Sequence, residues 1–209
     1  YEARIGLISF AGGVDELIAR VPKRLTNHPG LVHDRIKWRV KKRKYDSALE
    51  LLLSISESDP NKLQRPEKFW RQKNFLIRRL LDKHQYNLAY KLATNHGLST
   101  NAATAEAEWM AGWISITFLN NPKNALKHFK EIWNVSSRPI SKARAAYWIG
   151  KSYEEIDEKE KSQEWYNKAS VYSLTFYGQL AATKSEDIIF FEPVVNIARI
   201  ESKESIELN

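Results

Sequence analysis

The chain has no cysteine, which removes several chemistries at once. Disulfides, thiolate nucleophiles and cysteine zinc sites are all excluded, although the compartment is not thereby fixed. Methionine occurs once, at Met110, and there are only eight glycines in 209 residues. The one glycine pair, in "AGGVDEL" at 11–17, lacks both the GxGxxG spacing and a strand ahead of it; there is also no Walker loop and no GxSxG elbow. No uncharged apolar run approaches the roughly 20 residues that span a bilayer, so no membrane span is expected. The opening "YEARIGLISFAGGVDEL" has no basic segment leading into a long apolar core, so no signal peptide is read there. Sustained period-two alternation is missing too, which argues against a sheet.

What is present is helical and basic. Hydrophobic residues make up 43%, seven are Trp, and 33 Lys and Arg face 25 Asp and Glu for a formal charge of +8. The densest basic stretch is "RIKWRVKKRKY" at 35–45. On a helix, Arg35, Arg39 and Lys42 form one stripe and Lys37, Lys41 and Lys44 another, with Ile36 and Val40 as a narrow apolar seam. A solvated face is the ordinary reading of such a stretch; contact with an acidic polymer is the functional one. Nucleic acid is not expected as partner, because no zinc-finger spacing, RNP-type aromatic motif or Gly-rich RNA clamp accompanies the charge.

Organisation along the chain says more. "KYDSALELLLSI", "QYNLAYKLATNHG", "NPKNALKHFKEIW" and "EKSQEWYNKAS" place small residues at 48, 89, 125 and 162, each followed four positions later by Leu52, Ala93, Phe129 or Tyr166. Small residues let helices approach closely and large ones fill the space between them. The spacings of 41, 36 and 37 are too irregular for a strict repeat array but suit a solenoid of unequal helical pairs. Breakers fall between the elements: "SESDPNKLQRPEK" at 56–68, Gly97 with Ser99 or Thr100 as a cap, Asn121-Pro122 as cap and first turn, and Pro139 with Ser141 as N-cap. The expected fold is all-α, a superhelix of antiparallel helical hairpins resembling a tetratricopeptide solenoid. Helices are expected from about 14 to 182, within a superhelical domain over 1–182. The tail, 183–209, reads as a weakly structured segment with one marginal helix.

Candidate sites are few. The five histidines, at 28, 33, 84, 96 and 128, are scattered over different elements, and none stands at HExxH spacing from a carboxylate; each reads as a surface or packing residue. No catalytic residue, metal ligand or cofactor is expected. Trp109 and Trp113 lie at i and i+4 on one helix face with Glu106 a turn earlier, an arrangement that suits sugar stacking but equally suits packing between helices. Candidate glycan contacts are therefore Arg35, Arg39, Lys42, Trp109 and Trp113.

Three segments in order, "AEAEWMAGWISITFLNNPKNALKHF" at 105–129, "RPISKARAAYWIGKSYE" at 138–154 and "TFYGQLA" at 175–181, resemble the α-helical superhelix of the soluble lytic murein transglycosylases. The resemblance rests on Glu108, Trp109, Gly112, Trp113, Ala125, His128 and Phe129, then Pro139, Ile140, Ser141, Ala143, Arg144, Ala145, Tyr147, Trp148 and Gly150, then Tyr177, Gly178, Gln179, Leu180 and Ala181. It is strongest over 68–182. It implies a periplasmic protein whose superhelix presents peptidoglycan glycan strands to a lysozyme-like domain, where one Glu cleaves the glycan to a 1,6-anhydro sugar without water. That domain's Glu-Ser pair and Gly-Leu-Met-Gln-like segment are not found before Asn209; Glu201-Ser202 and Glu204-Ser205 imitate the dipeptide without the surrounding motif. The expectation is thus a non-catalytic superhelix, whose partner would be peptidoglycan glycan strands through the absent catalytic domain. The alternative is a free-standing tetratricopeptide-like adaptor that holds a protein partner in its concave groove.

Overall fold

The computed structural model describes residues 1–58, 65–99 and 101–185. Among these there is no strand; the chain forms α1 (Glu2–Ile8), α2 (Val14–Ala19), α3 (Pro29–Lys41), α4 (Tyr45–Ser58), α5 (Pro66–Asp82), α6 (Tyr86–Thr94), α7 (Asn101–Thr117), α8 (Pro122–Val135), α9 (Pro139–Glu154), α10 (Lys159–Ser170) and α11 (Phe176–Ala182). From α3 onward these pair as hairpins, with α5 packed on α3 and α6, α7 on α6 and α8, and α9 on α8 and α10. The protein is an all-α, tetratricopeptide-like superhelix.

Helix starts follow proline. Pro29, Pro66, Pro122 and Pro139 each occupy the first helical position, where a missing N–H costs nothing and the fixed φ is already helical. Asn121 caps α8 as expected, its side-chain oxygen accepting the Asn124 N–H at 3.1 Å. Ser141 does not cap α9: Arg138 holds that position, because Pro139 starts the helix and leaves Ser141 inside the first turn. Thr100 lies outside the described residues, as do Pro60 and the tail from 186 onward.

Helical structure begins at Glu2 rather than near 14. Ala3, Gly6 and Leu7, spaced i, i+3 and i+4, are buried, and Arg4 fastens the helix to α3 by donating from Nε to Asp34 at 2.6 Å. A seven-residue helix carries too short a pattern to stand out against its apolar surroundings, and tertiary contact supplies the stability that length does not.

The four small anchors are buried: Ala48, Ala89, Ala125 and Ser162. Five positions before each stands a residue with left-handed backbone, namely Arg43 (φ 58°), His84 (58°), Asn120 (48°) and Asp157 (62°). None is glycine. In three of these turns the next amide reaches back to the carbonyl five residues earlier, Lys44 to Arg39 (2.8 Å), Gln85 to Leu80 (2.8 Å) and Glu158 to Tyr153 (3.0 Å), the bond that closes a Schellman-type helix end. The third turn is one residue wider, with Asn121 donating to Ser115 at 2.9 Å.

Close approach is carried by glycine in the last two hairpins. A Cβ on Gly112 would lie 2.6 Å from a ring carbon of Phe129, and one on Gly150 would lie 2.9 Å from the Tyr166 ring and 3.2 Å from the Ser162 carbonyl. Ser162 Oγ also donates to the Gly150 carbonyl at 2.9 Å. Gly150→Ala should therefore destabilise by about 1 kcal/mol, overpacking of about 2 partly offset by about 1 of gained helix propensity. Urea melts will show it; a variant more stable than the parent would mean that the Tyr166 ring yields freely.

Candidate functional site

Where α6, α7 and α8 meet, the fold gathers residues that are far apart in sequence. Glu108 on α7 accepts from His96 Nε2 at 3.0 Å on one oxygen and from His128 Nδ1 at 2.5 Å on the other. His96 Nδ1 in turn accepts the Leu98 backbone N–H at 2.9 Å, and His128 Nε2 stands 2.8 Å from the Tyr90 hydroxyl. Asn124 Nδ2 donates to that hydroxyl at 2.5 Å. The donors and acceptors order themselves in one direction. With each imidazole carrying a single proton, Asn124 donates to Tyr90, Tyr90 to His128, and both histidines to an ionised Glu108.

Burial alone would push the Glu108 carboxyl up. Hydrogen bonds from His128 and His96, together with their charge when protonated, outweigh it and bring the pKa from 4.5 down to about 2. In the sequence His96 and His128 read as separate packing residues, because 12 and 20 positions divide them from Glu108. The signal available was register, since α6, α7 and α8 are successive elements of a solenoid and their facing residues must meet. Glu106, a turn before Trp109, instead points outward and accepts from Asn74 Nδ2 at 2.7 Å.

Lys73 forms a second interior polar feature. Its side chain on α5 is 0% exposed, and Nζ donates to the carbonyl of Asn95, the residue that ends α6. A cation at the negative end of a helix dipole is well placed, yet burial lowers its pKa from 10.5 to about 8.

The five candidate glycan contacts fall into two separate places. On α3, Arg35 is half-buried and its pKa is lowered, by burial first and then by Arg39. Arg39 donates from Nη1 to the Ser47 carbonyl at 2.6 Å, tying α3 to α4. Lys42 is exposed, with Nζ 6.0 Å from the centre of the Trp38 ring. On α7, Trp109 and Trp113 stack at 5.7 Å with an interplanar angle of 9°, and the Arg144 guanidinium lies 4.9 Å over Trp109. A sugar would have to compete with these neighbours for the faces of Trp109. Both tryptophans also pack against the core shared by α3 to α7.

A different surface is open. Val171, Leu174 and Phe176, all on or beside the connection from α10 to α11, are largely exposed, Leu174 by 98%. Thr175 between them is committed to the fold, its Oγ1 accepting the Gly178 N–H at 3.0 Å to cap α11. No helix among the described residues is long and apolar enough to cross a membrane.

No family model matches the chain, and no curated protein matches it. Two solved structures of MamA are similar to it. MamA MSR-1 C2 shares 16% identity at a TM-score of 0.46, over 83% of this chain and 93% of that one. A MamA mutant shares 16% identity at a TM-score of 0.47, over 82% and 93%. At these values the likeness carries no argument about function.

Proposed function

We propose that the chain is a scaffold of tetratricopeptide-like hairpins that binds a protein partner and performs no covalent chemistry itself. The observation that carries this reading is the closure of the Glu108 circuit. Both carboxylate oxygens and all four ring nitrogens of its histidines are bonded within the chain, so the group holds three helices together and offers no free acid or base to a substrate. Stacked hairpins of this kind leave extended surfaces for binding, and the apolar side chains at the end of α10 supply the type of contact that protein partners bury.

A second reading has its own support. Of the residues on which the resemblance to the lytic transglycosylase superhelix rests, Glu108 and His128 belong to the Glu108 circuit, and Gly112 with Phe129, and Gly150, carry the close approaches of α7 to α8 and of α9 to α10. Under that reading the chain is the non-catalytic, periplasmic superhelix of such an enzyme, and its partner is the glycan strand together with a catalytic domain.

One experiment addresses both. Purified chain is incubated with peptidoglycan sacculi, retention is measured at low and physiological salt, and the products are examined by mass spectrometry for 1,6-anhydromuropeptides. The adaptor reading expects no such products and no retention beyond that of an unrelated protein of equal charge, since exposed charge contacts are screened over about 8 to 10 Å. Specific retention without products would favour the second reading. Products formed in proportion to protein, and lost in a folded Glu106→Gln or Glu108→Gln variant, would overturn both.

A further inference from the structure

We propose that the chain binds a phosphate-type oxyanion in the cavity where α1 meets the first turns of α3 and α5. The cavity holds about 350 Å³ and is lined by Arg4, His28, His33, Asp34, Arg65 and Lys68. Its single carboxylate is already neutralised: Asp34 accepts from Arg4 Nε at 2.6 Å and stands 3.4 Å from His33 Nδ1. Arg65 and Lys68 are exposed and have no anionic partner among the described residues. The cavity therefore keeps an excess of positive charge that nothing in the described chain answers.

Three further features favour an anion there. The 13-residue α3 and the 17-residue α5 both begin at the cavity wall, so the positive ends of two helix dipoles face the same space. His28 Nδ1 accepts the Gly30 N–H at 3.2 Å, which leaves its Nε2 as the donor in the neutral ring. The Arg4 guanidinium rests against Gly30, where a Cβ would come within 3.2 Å of it; absence of that side chain lets the cation lie over the start of α3.

The arrangement discriminates between anions. The lining donors belong to three elements, α1, the start of α3 and the start of α5, so they reach the cavity from more than one side. A tetrahedral oxyanion presents acceptor oxygens in all these directions, whereas a carboxylate presents two in one plane and suits a single bidentate arginine. The volume exceeds that of the bare ion, leaving room for the substituent of a monoester. This inference does not depend on the identity of the scaffold's partner.

The test is an amide NMR titration of the chain with inorganic phosphate, with acetate and with chloride at matched ionic strength. Saturable shifts confined to Gly30, Leu31, Glu67 and Lys68 are expected with phosphate and not with the other two. Arg65→Ala combined with Lys68→Ala should weaken phosphate at least roughly tenfold, as expected for two lost charge-assisted contacts, without altering the melt of these exposed positions. A Lys41→Ala, Lys44→Ala control at the far end of α3 should bind as the parent does. Methyl phosphate distinguishes the source: saturation at the same amides assigns the site to phosphomonoesters, and its failure where phosphate succeeds assigns it to the free ion. Shifts spread over the whole basic surface and cancelled by chloride, equal binding by the double variant, or acetate matching phosphate would each overturn the proposal.

Discussion

Glu108→Ala should lower the unfolding free energy by about 3 to 6 kcal/mol, the range for losing two hydrogen bonds to a charged group at about 1.5 to 3 kcal/mol each. The loss exceeds that of the side chain itself, because His96 and His128 would keep their buried N–H groups without an acceptor. Glu108→Gln should cost less, since its amide oxygen can still accept from one histidine. The same residue gives the fold an acid limit. Its folded pKa, about 2, lies below its ordinary value of 4.5, so its contribution is fully present above about pH 4.5 and is lost as the pH falls toward 2. Urea melts between pH 7 and pH 2 should therefore show parent and Glu108→Gln converging in acid. A gap that stays constant over that range would show that the circuit contributes nothing through ionisation.

Lys73→Met should act in the opposite sense and stabilise the protein by about 2 kcal/mol at neutral pH. A pKa held at about 8 against an ordinary 10.5 means that the folded chain resists the charged form, at a cost of about 3 kcal/mol below pH 8. Methionine removes that cost and sacrifices one hydrogen bond to the Asn95 carbonyl, worth about 1 kcal/mol. The sign with pH is specific: between pH 8 and 10.5 the unfolded chain binds the extra proton, so parental stability attributable to Lys73 rises with pH across that window. The advantage of Lys73→Met should shrink there. Thermal melts of both proteins at pH 7 and pH 10 measure it, and a methionine variant less stable than the parent at pH 7 would mean that the lysine's cap on α6 outweighs its desolvation.

Much of the architecture could be read from residue size alone. Ala48, Ala125 and Ser162, each followed four positions later by a larger side chain, and Ala89, followed by a second small one at Ala93, announce the hairpins because such small positions on a helical face are hard to explain except by helices in close contact. Lys73 was legible in principle: Phe69, Trp70, Leu76, Ile77 and Leu80 are buried around it at helical spacing, which puts position 73 on the core face whatever its charge. It was hidden by exposed Arg71 and Arg78, which make the segment look uniformly basic. The Glu108 circuit was beyond reach of local pattern, since its members come from three helices and a connecting loop, and the phosphate-type cavity draws on α1, which composition does not distinguish from a loop.

The five-residue interval between each left-handed turn and its small anchor does not vary, whereas the run from an anchor to the next turn is 36 positions from Ala48 to His84, 31 from Ala89 to Asn120 and 32 from Ala125 to Asp157. Most of the irregularity of the repeat therefore lies in the part of the helix that leaves one hairpin after its anchor and in the joint that leads to the next. Growth or shrinkage of the gene by a few codons would be absorbed at those joints without disturbing the knuckles, so a lineage could re-pitch the coil, and thus the shape it offers to whatever it grips, while inheriting every knuckle unchanged.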